Sequence, residues 1–294
     1  MEKQYLMGNS DGLTREAISQ PEPTFISPGL RRKLIKIAME EAFAFFEGFL
    51  GDSSREFEYD LLIDAYLEEF ENAVELGLFG AGGIREKHHL GFWCLGRVFE
   101  PEIYIESGVF TGSSLHAYLR SPRLKEVVAI DPNLTHLKIP TEDMPSPALI
   151  DSMDFSQLQL DIVGLKVLTY FDDHINSASR VIQAAAQGLK FLVFDDSTGY
   201  EGLCQRLYPA SPTIPMIMQA DLYEVNDEVA WTFRGGNGQI VRSRWVATKE
   251  QIELCQQAKS LIEKVAKIPE LEDHVPQLFP EKMPDAAKFI VKLK

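Results

Sequence analysis

Residues 102–131 contain the pattern that most restricts the fold of this chain. An apolar segment, an acidic residue, a glycine turn, a helical segment and a second apolar segment ending in aspartate follow one another, in the sequence EIYIESGVFTGSSLHAYLRSPRLKEVVAID. This order is typical of the βαβ half of a nucleotide-binding sheet, in which the turn brings backbone amides against a ligand. Gly108 and Gly112 alone are a weak signal, since any tight strand-to-helix turn uses glycine. The flanking elements and the acid about 20 residues onward strengthen it.

Three parts of this region are candidates to bind the nucleotide. Asp131 follows the second strand, where a carboxylate can accept hydrogen bonds from two ribose hydroxyls. The turn itself predicts contacts from Ser107, Gly108 and Gly112. Asp154 lies beyond a proline-rich loop and is a candidate to meet the adenine amine or the ribose, but a helix N-cap is the interpretation we prefer.

Composition and charge exclude several classes of function. The chain has 294 residues, of which 45% are hydrophobic, and can bury a full core. A formal net charge of -15 argues against duplex nucleic acid or an anionic membrane as partner, since both require basic patches. The three cysteines are far apart in sequence, which indicates reduced thiols in a cytoplasmic protein. No signal segment and no apolar run of about 18 residues is present, so we expect neither secretion nor membrane spanning.

The chain divides into four segments by pattern. Residues 1–28 are polar and end in prolines, which indicates a flexible arm. Residues 29–98 form an N-terminal helical region with two amphipathic patterns. Residues 99–250 form the nucleotide-binding domain, and residues 251–294 form a C-terminal helix and tail.

The first N-terminal helix is predicted to begin at Pro28 after the N-cap Ser27 and to end at Gly51. Its aromatic side chains form a stripe that favours helix packing, with a homo-oligomer interface or an active-site lid as alternatives. These aromatic residues are Phe43, Phe45, Phe46 and Phe49.

Several other segments are assigned from pattern alone. Residues 84–102 are predicted as a short connection, in which the adjacent His88 and His89 point apart and are poorly placed to bind one metal ion. Beyond Gly202 we predict a short helix in LCQRLYPA, a strand in TIPMIMQADLYEV and a hairpin of DEVAWTFRG with IVRSRWVAT at a sheet edge. The stretch KEQIELCQQAKSLIEKVAKI predicts an amphipathic helix.

Two pairs of aspartates follow two predicted strands. KVLTYF ends in Asp172 and Asp173, and KFLVF ends in Asp195 and Asp196. A helix joins the strands, so in a parallel sheet both pairs emerge at the same edge. Their mutual repulsion favours a divalent cation between them, and oxygen ligands favour Mg²⁺ or another hard ion. Capping of the following helices is the alternative for one aspartate of each pair.

His174 follows the first aspartate pair. In an extended segment it would point to the same side as Asp172, where its imidazole could accept a proton from a substrate hydroxyl. An N-cap of the following helix is the alternative role.

The stretch ESGVFTGSS resembles the first motif of class I S-adenosylmethionine-dependent methyltransferases, and specifically of the macrocin O-methyltransferase and cephalosporin hydroxylase-like group. The matching residues are Glu106, Gly108, Gly112 and Ser113, and the resemblance implies that all four bind the cofactor. The resemblance covers about residues 100–250. It implies an α/β fold: a Rossmann-like methyltransferase sheet with helices on both faces, an antiparallel strand at one edge and, here, an N-terminal helical extension.

The resemblance also implies an activity and a set of site residues. The cofactor would be S-adenosylmethionine, and Mg²⁺ would be bound by Asp172, Asp195 and Asp196. The usual second carboxylate of the first pair is replaced by His174, so either His174 or Asp173 would be the base, and Asp173 is an alternative ligand. The implied reaction is methyl transfer to a hydroxyl of a natural-product or sugar-like small molecule.

Two competing functions follow from the same residues. A methyltransferase fold can act as a non-catalytic scaffold in a biosynthetic assembly, since fold does not fix chemistry. Oxygen chemistry at iron is disfavoured, because carboxylates without a pair of histidines are a poor ligand set for non-haem iron.

Overall fold

The computed structural model describes residues 26–51, 56–79, 84–195, 211–234, 240–276, 278 and 287–294. Seven helices are found among these residues: α1 (Pro28–Leu50), α2 (Tyr59–Glu75), α3 (Glu86–Phe99), α4 (Ser113–Tyr118), α5 (Ser177–Ala186), α6 (Ile214–Met218) and α7 (Lys249–Leu261). The strands described are β1 (Ile103–Ser107), β2 (Glu126–Ile130), β3 (Pro147–Ile150), β4 (Val167–Phe171), β5 (Phe191–Phe194), β6 (Glu228–Arg234), β7 (Ile240–Val246), β8 (Ile262–Lys267) and β9 (Phe289–Leu293). Short 3₁₀ helices connect several of them.

A seven-stranded sheet organises the molecule, in the order β3-β2-β1-β4-β5-β9-β8. Strands β1 to β5 are parallel to one another, and β9 is antiparallel to both β5 and β8. Helices pack on both faces, so this is the predicted Rossmann-like methyltransferase sheet with its N-terminal helices. The parallel strands β1, β2, β4 and β5 end at one side of the sheet, which we call the carboxyl edge.

The central strands are buried on both faces, as their unbroken apolar sequences predict. Tyr104 and Tyr170 point into the core beneath the N-terminal helices. Ile105 and Phe171 point into a second core beneath α5 and α7. Successive residues of β1 and β4 therefore enter opposite cores, and the residues that follow these strands emerge on opposite sides of the carboxyl edge.

The N-terminal helix has the predicted ends. Ser27 accepts a hydrogen bond from the Leu30 amide at 3.4 Å, and Gly51 ends the helix in the left-handed conformation with φ of 77°. Phe43 and Phe46 are buried in the core of this chain, which confirms the packing role of the aromatic stripe. Self-association through these helices stays a prediction.

The prediction for residues 84–102 was wrong, because this segment contains the helix α3. Apolar residues occur on all sides of α3, so the segment lacks the one-sided periodicity by which a surface helix is predicted. The adjacent histidines do point apart. His89 contacts His116 at 3.2 Å between ring nitrogens, and His116 contacts Asn72 at 2.8 Å.

The C-terminal half departs from prediction in three places. The predicted strand TIPMIMQADLYEV is helical, with Pro215 in the first turn of α6. The hairpin β6–β7 forms a separate two-stranded sheet and does not extend the main one. The antiparallel strand β9 and its neighbour β8 come from the tail, where the predicted amphipathic helix ends at Leu261.

Some predictions concern residues outside the described part of the chain. They include most of the 1–28 arm, the short helix LCQRLYPA and the metal ligand Asp196. Among the helices that the structure describes, none has the length and hydrophobicity that crossing a bilayer requires.

Candidate functional site

The glycine turn follows β1 at the carboxyl edge. Gly108 has φ of 92°, and a Cβ atom there would lie 2.2 Å from the carbonyl oxygen of Asp172. The Asp172 amide donates to the Ser107 carbonyl at 2.8 Å, which holds the ends of β1 and β4 in this close contact. Only glycine fits at position 108, for both its backbone conformation and its space.

Asp131 closes the turn from the end of β2. Its Oδ2 accepts a hydrogen bond from the Phe110 amide at 2.9 Å, and its Oδ1 accepts one from the Asn133 amide at 2.8 Å. Phe110 is 37% exposed and Asp131 is partly exposed, so a ligand can reach this carboxylate. Each carboxylate oxygen can accept more than one hydrogen bond, which leaves Asp131 able to bind hydroxyl groups.

Glu106 lies beneath the turn and is 0% exposed. Its two oxygens accept hydrogen bonds from the hydroxyls of Tyr104 at 2.6 Å and Ser114 at 2.5 Å. Burial, with a smaller effect from the carboxylates of Asp131 and Asp195, raises the pKa of Glu106 to about 8 against the opposing effect of the two hydroxyls. Glu106 thus supports the turn from inside and carries a proton at neutral pH.

The end of the turn is fixed by two contacts with other segments. The Ser113 hydroxyl accepts a hydrogen bond from the Ile84 amide at 2.9 Å, which joins the start of α4 to the N-terminal region. Gly112 has φ of 86°, and a Cβ atom there would approach the side chains of Leu137 and Ile139 to 2.8 Å. Ser113 and Gly112 therefore hold the shape of the turn.

The buried guanidinium of Arg180 joins a group of predicted site residues near the end of β4. These residues are Asp173, Asp154 and Ser107. Arg180 is 2% exposed and forms an ion pair with Asp173 at 2.7 Å. It also donates two hydrogen bonds to Asp154, at 2.9 and 2.7 Å. The Ser107 hydroxyl donates to Asp173 at 2.5 Å. Asp173 is thus occupied by a cation and a hydroxyl, a structural arrangement that disfavours it as a base or a metal ligand.

Asp154 is an N-cap, the interpretation we preferred. Its carboxylate accepts a hydrogen bond from the Ser156 amide at 2.9 Å, and the Gln157 side chain completes a capping box. The hydrogen bonds from Arg180, with those of Ser156, lower the pKa of Asp154 far below its usual value despite partial burial.

His174 does not have the conformation from which its direction was predicted. The residue has φ of 56°, so the chain is not extended through it, and the same-side relation to Asp172 does not follow. The N-cap of α5 is Asn176, whose side chain accepts a hydrogen bond from the Ser179 amide at 2.8 Å, so His174 does not occupy the N-cap position. His174 is partly exposed beside the end of β4.

Of the two aspartate pairs, Asp172, Asp173 and Asp195 lie within the described residues and follow β4 and β5 at the carboxyl edge. β4 and β5 are parallel neighbours, and the Asp195 amide donates to the Phe171 carbonyl at 3.0 Å. Asp195 itself is 4% exposed. Its Oδ1 accepts from the Lys288 ammonium at 2.6 Å, and its Oδ2 accepts from the Tyr170 hydroxyl at 2.6 Å.

Asp195 is poorly placed to be a ligand of the predicted magnesium ion. A metal ion at Asp195 would have to share a carboxylate that is 4% exposed with the Lys288 ammonium, which already contacts Oδ1, and the two positive charges would repel each other. Within the described ranges, no three His, Cys, Asp or Glu side chains are grouped so that they could hold a metal ion. Asp172 is partly buried beyond β4, and Asp196 lies outside the described residues.

Sequence reasoning missed Lys288, Tyr170 and Arg180. Lys288 lies 93 residues from Asp195 in the chain, and its segment gave no strand signal among the prolines. Arg180 could have been suspected, since an arginine inside the otherwise small and apolar α5 needs a partner.

Comparison with known proteins shows similarity of structure. No family model matches the chain, and no curated protein gives a significant match. An O-methyltransferase from Bacillus cereus in complex with SAH is 13% identical, with a TM-score of 0.38, over 71% of this chain and 100% of its own. The O-methyltransferase TomG from Streptomyces achromogenes, involved in tomaymycin synthesis, is 13% identical with a TM-score of 0.39 over 71% and 98%. CalS10, an amino pentose methyltransferase from Micromonospora echinaspora, is 12% identical with a TM-score of 0.37 over 76% and 96%. The strand order of the sheet defines the fold independently of them.

Proposed function

We propose that this protein transfers the methyl group of S-adenosylmethionine to a hydroxyl of a small molecule. The observation that carries the proposal is the glycine turn at the carboxyl edge, fastened by Asp131 through the Phe110 amide at 2.9 Å. This combination suits a nucleoside, because ligands of open α/β sheets bind outside the carboxyl ends of the strands.

Each turn residue has a distinct part in this proposal. Asp131 would accept hydrogen bonds from the ribose hydroxyls. Gly108 would let the backbone approach the methionine end of the cofactor, and Gly112 would hold the turn open. Glu106 and Ser113 would fix the turn from beneath and would not contact the ligand.

The bound cofactor supplies an activated methyl group on a positively charged sulfur. The residues of this chain would hold the acceptor oxygen in line with that group, and positioning of this kind is worth up to about 7–11 kcal/mol of a barrier. We assign removal of the hydroxyl proton to His174, because Asp173 is paired with Arg180.

The sequence motif supports a narrower class of methyltransferase and of acceptor. Glu106, Gly108, Gly112 and Ser113 match the macrocin O-methyltransferase and cephalosporin hydroxylase-like group, and from this resemblance we propose a natural-product or sugar-like acceptor. The metal ion of that group is not included, because Asp195 is occupied by Lys288 and Tyr170.

A non-catalytic role for the fold is less well supported. It would be favoured if both Glu106 and Asp131 faced a sealed cleft. Glu106 is sealed, but Asp131 and Phe110 are accessible at the turn.

The experiment that tests the proposal is calorimetric titration of S-adenosylmethionine into the wild type and into Asp131→Asn. Hydrogen bonds to a charged group contribute about 1.5–3 kcal/mol, so the variant should bind roughly 10- to 100-fold more weakly. Asp161→Asn, at an exposed loop position, is the matched control and should bind as the wild type does. Equal affinity for both variants would contradict the assignment of Asp131, and no binding to the wild type would contradict the proposed function.

A further inference from the structure

Carboxylates are concentrated at the carboxyl edge around the side chain of Tyr170. Glu106 is the register partner of Tyr170 across β1 and β4, so the two side chains lie on the same face of the sheet. Phe171 and Phe194 are paired across β4 and β5, and Asp172 and Asp195 directly follow them, so the two aspartates lie side by side.

Asp195 is 4% exposed and accepts a hydrogen bond from the Tyr170 hydroxyl at 2.6 Å, and Asp172 follows Tyr170 by two residues at the same edge. Glu106 carries a proton at neutral pH, but the charges of Asp172 and Asp195 in this mostly buried place require positive charge nearby.

Lys288 brings that positive charge from the C-terminal end of the chain. It directly precedes β9, whose first residue, Phe289, pairs with Phe194 at the end of β5. This pairing places Lys288 beside Asp195. The Lys288 side chain is 3% exposed, and its ammonium lies 2.6 Å from Asp195 Oδ1.

We infer that Lys288 takes the place of a divalent cation at this edge, so that the protein balances its carboxylates with an ammonium group of its own. The inference deepens the proposed function and rests on it, because it implies that the proposed methyl transfer requires no metal ion. Lys288 is a positioning residue here, acting through Asp195 and Tyr170.

The contacts of Asp195 indicate that the Lys288 ammonium and a metal ion would compete for the same carboxylate. An ion bound by Asp195 would have to displace the Lys288 ammonium from Oδ1 or the Tyr170 hydroxyl from Oδ2. Displacing the ammonium would leave a buried positive charge without its partner and next to a divalent ion. Both effects oppose metal binding while Lys288 is present.

The test is titration of Mn²⁺ into the full chain without S-adenosylmethionine, with free Mn²⁺ measured by electron paramagnetic resonance. The wild type should bind no stoichiometric Mn²⁺ up to about 1 mM, the weak end of protein sites for hard cations. Lys288→Met keeps most of the length of the side chain but removes its charge, and should increase Mn²⁺ affinity at least tenfold. Lys292→Met is the control, since Lys292 lies four residues further on, within β9, in a partly exposed ion pair with Glu263, and should behave as the wild type.

Two results would overturn the inference. One is stoichiometric Mn²⁺ binding by the wild type, and the other is a folded Lys288→Met variant that binds Mn²⁺ no better than the wild type. If that variant does not fold, the wild-type titration decides alone. Because S-adenosylmethionine is absent, these outcomes are independent of whether the proposed function holds.

Discussion

Glu106 is buried and has a raised pKa, although its place in the motif predicts a contact with the ligand. The hydroxyls of Tyr104 and Ser114 donate hydrogen bonds to the Glu106 carboxyl group, which is enclosed by these two side chains. Its pKa of about 8, against an ordinary value of 4.5, means that the folded protein holds a proton here that the unfolded chain has lost. Stability therefore decreases as the pH rises from about 4.5 to about 8, because the unfolded state binds fewer protons in that window.

Replacing Glu106 with Gln tests this ionisation directly. The amide cannot ionise, so the stability of Glu106→Gln should fall less between about pH 5 and pH 8 than that of the wild type. One pKa unit corresponds to about 1.4 kcal/mol, and we expect the two slopes to separate the unfolding free energies by more than about 1 kcal/mol. Urea unfolding at several pH values measures it. Parallel pH profiles for the two proteins would show that Glu106 ionises normally.

At the scale of elements, Arg180 links the 3₁₀ helix capped by Asp154, the end of β4 and the helix α5. Removing one partner of a buried ion pair costs about 3–5 kcal/mol, because the other charge is left uncompensated. Most of the cost would come from Asp173, whose side chain is 12% exposed, and less from Asp154, which is 48% exposed.

We expect Arg180→Met to lower the free energy of unfolding by about 3 kcal/mol or more, measured by urea denaturation. Arg123→Met is the matched control, because Arg123 is 52% exposed in its ion pair with Glu102 and such pairs contribute about 0–1 kcal/mol. A loss for Arg180→Met as small as that of the control would mean that the network does not hold these elements together.

Elements with local signals were predicted well. The apolar runs of β1, β4 and β5, the caps Ser27 and Gly51 and the N-cap Asp154 each need only neighbouring residues to be recognised. Elements that depend on distant partners were not. The sequence of β9 is a short apolar run in a proline-rich tail, and it becomes a strand only because it inserts between β5 and β8.

The candidate site also has a part that local sequence predicts and a part that depends on residues distant in the chain. Asp131 and the glycine turn are about 20 residues apart and belong to one βαβ unit, so their proximity follows from the motif. The metal site was predicted from repulsion between aspartates, and that argument calls for a positive charge nearby. It could not identify the charge, since Lys288 reaches Asp195 only through the pairing of β9 with β5.

At the scale of the whole molecule, segments from distant parts of the chain meet at the carboxyl edge of the sheet. β1 begins the sheet at its centre, and the last strand, β9, returns beside β5 and carries Lys288 to the carboxyl edge. The N-terminal helices cover one face of the same sheet, and the Ile84 amide contacts Ser113 at the end of the turn. The segment before β1 and the segment before β9 therefore both contact residues at this edge.

The most direct measurement is titration of S-adenosylmethionine into the full chain in buffer with EDTA, repeated with added Mg²⁺. We expect one site per chain and the same affinity in both buffers, since Asp131 and the glycine turn need no metal ion to bind the nucleoside. Binding that required Mg²⁺ would contradict the role of Lys288. No binding in either buffer would contradict the central proposal that this carboxyl edge is a methyl-donor site.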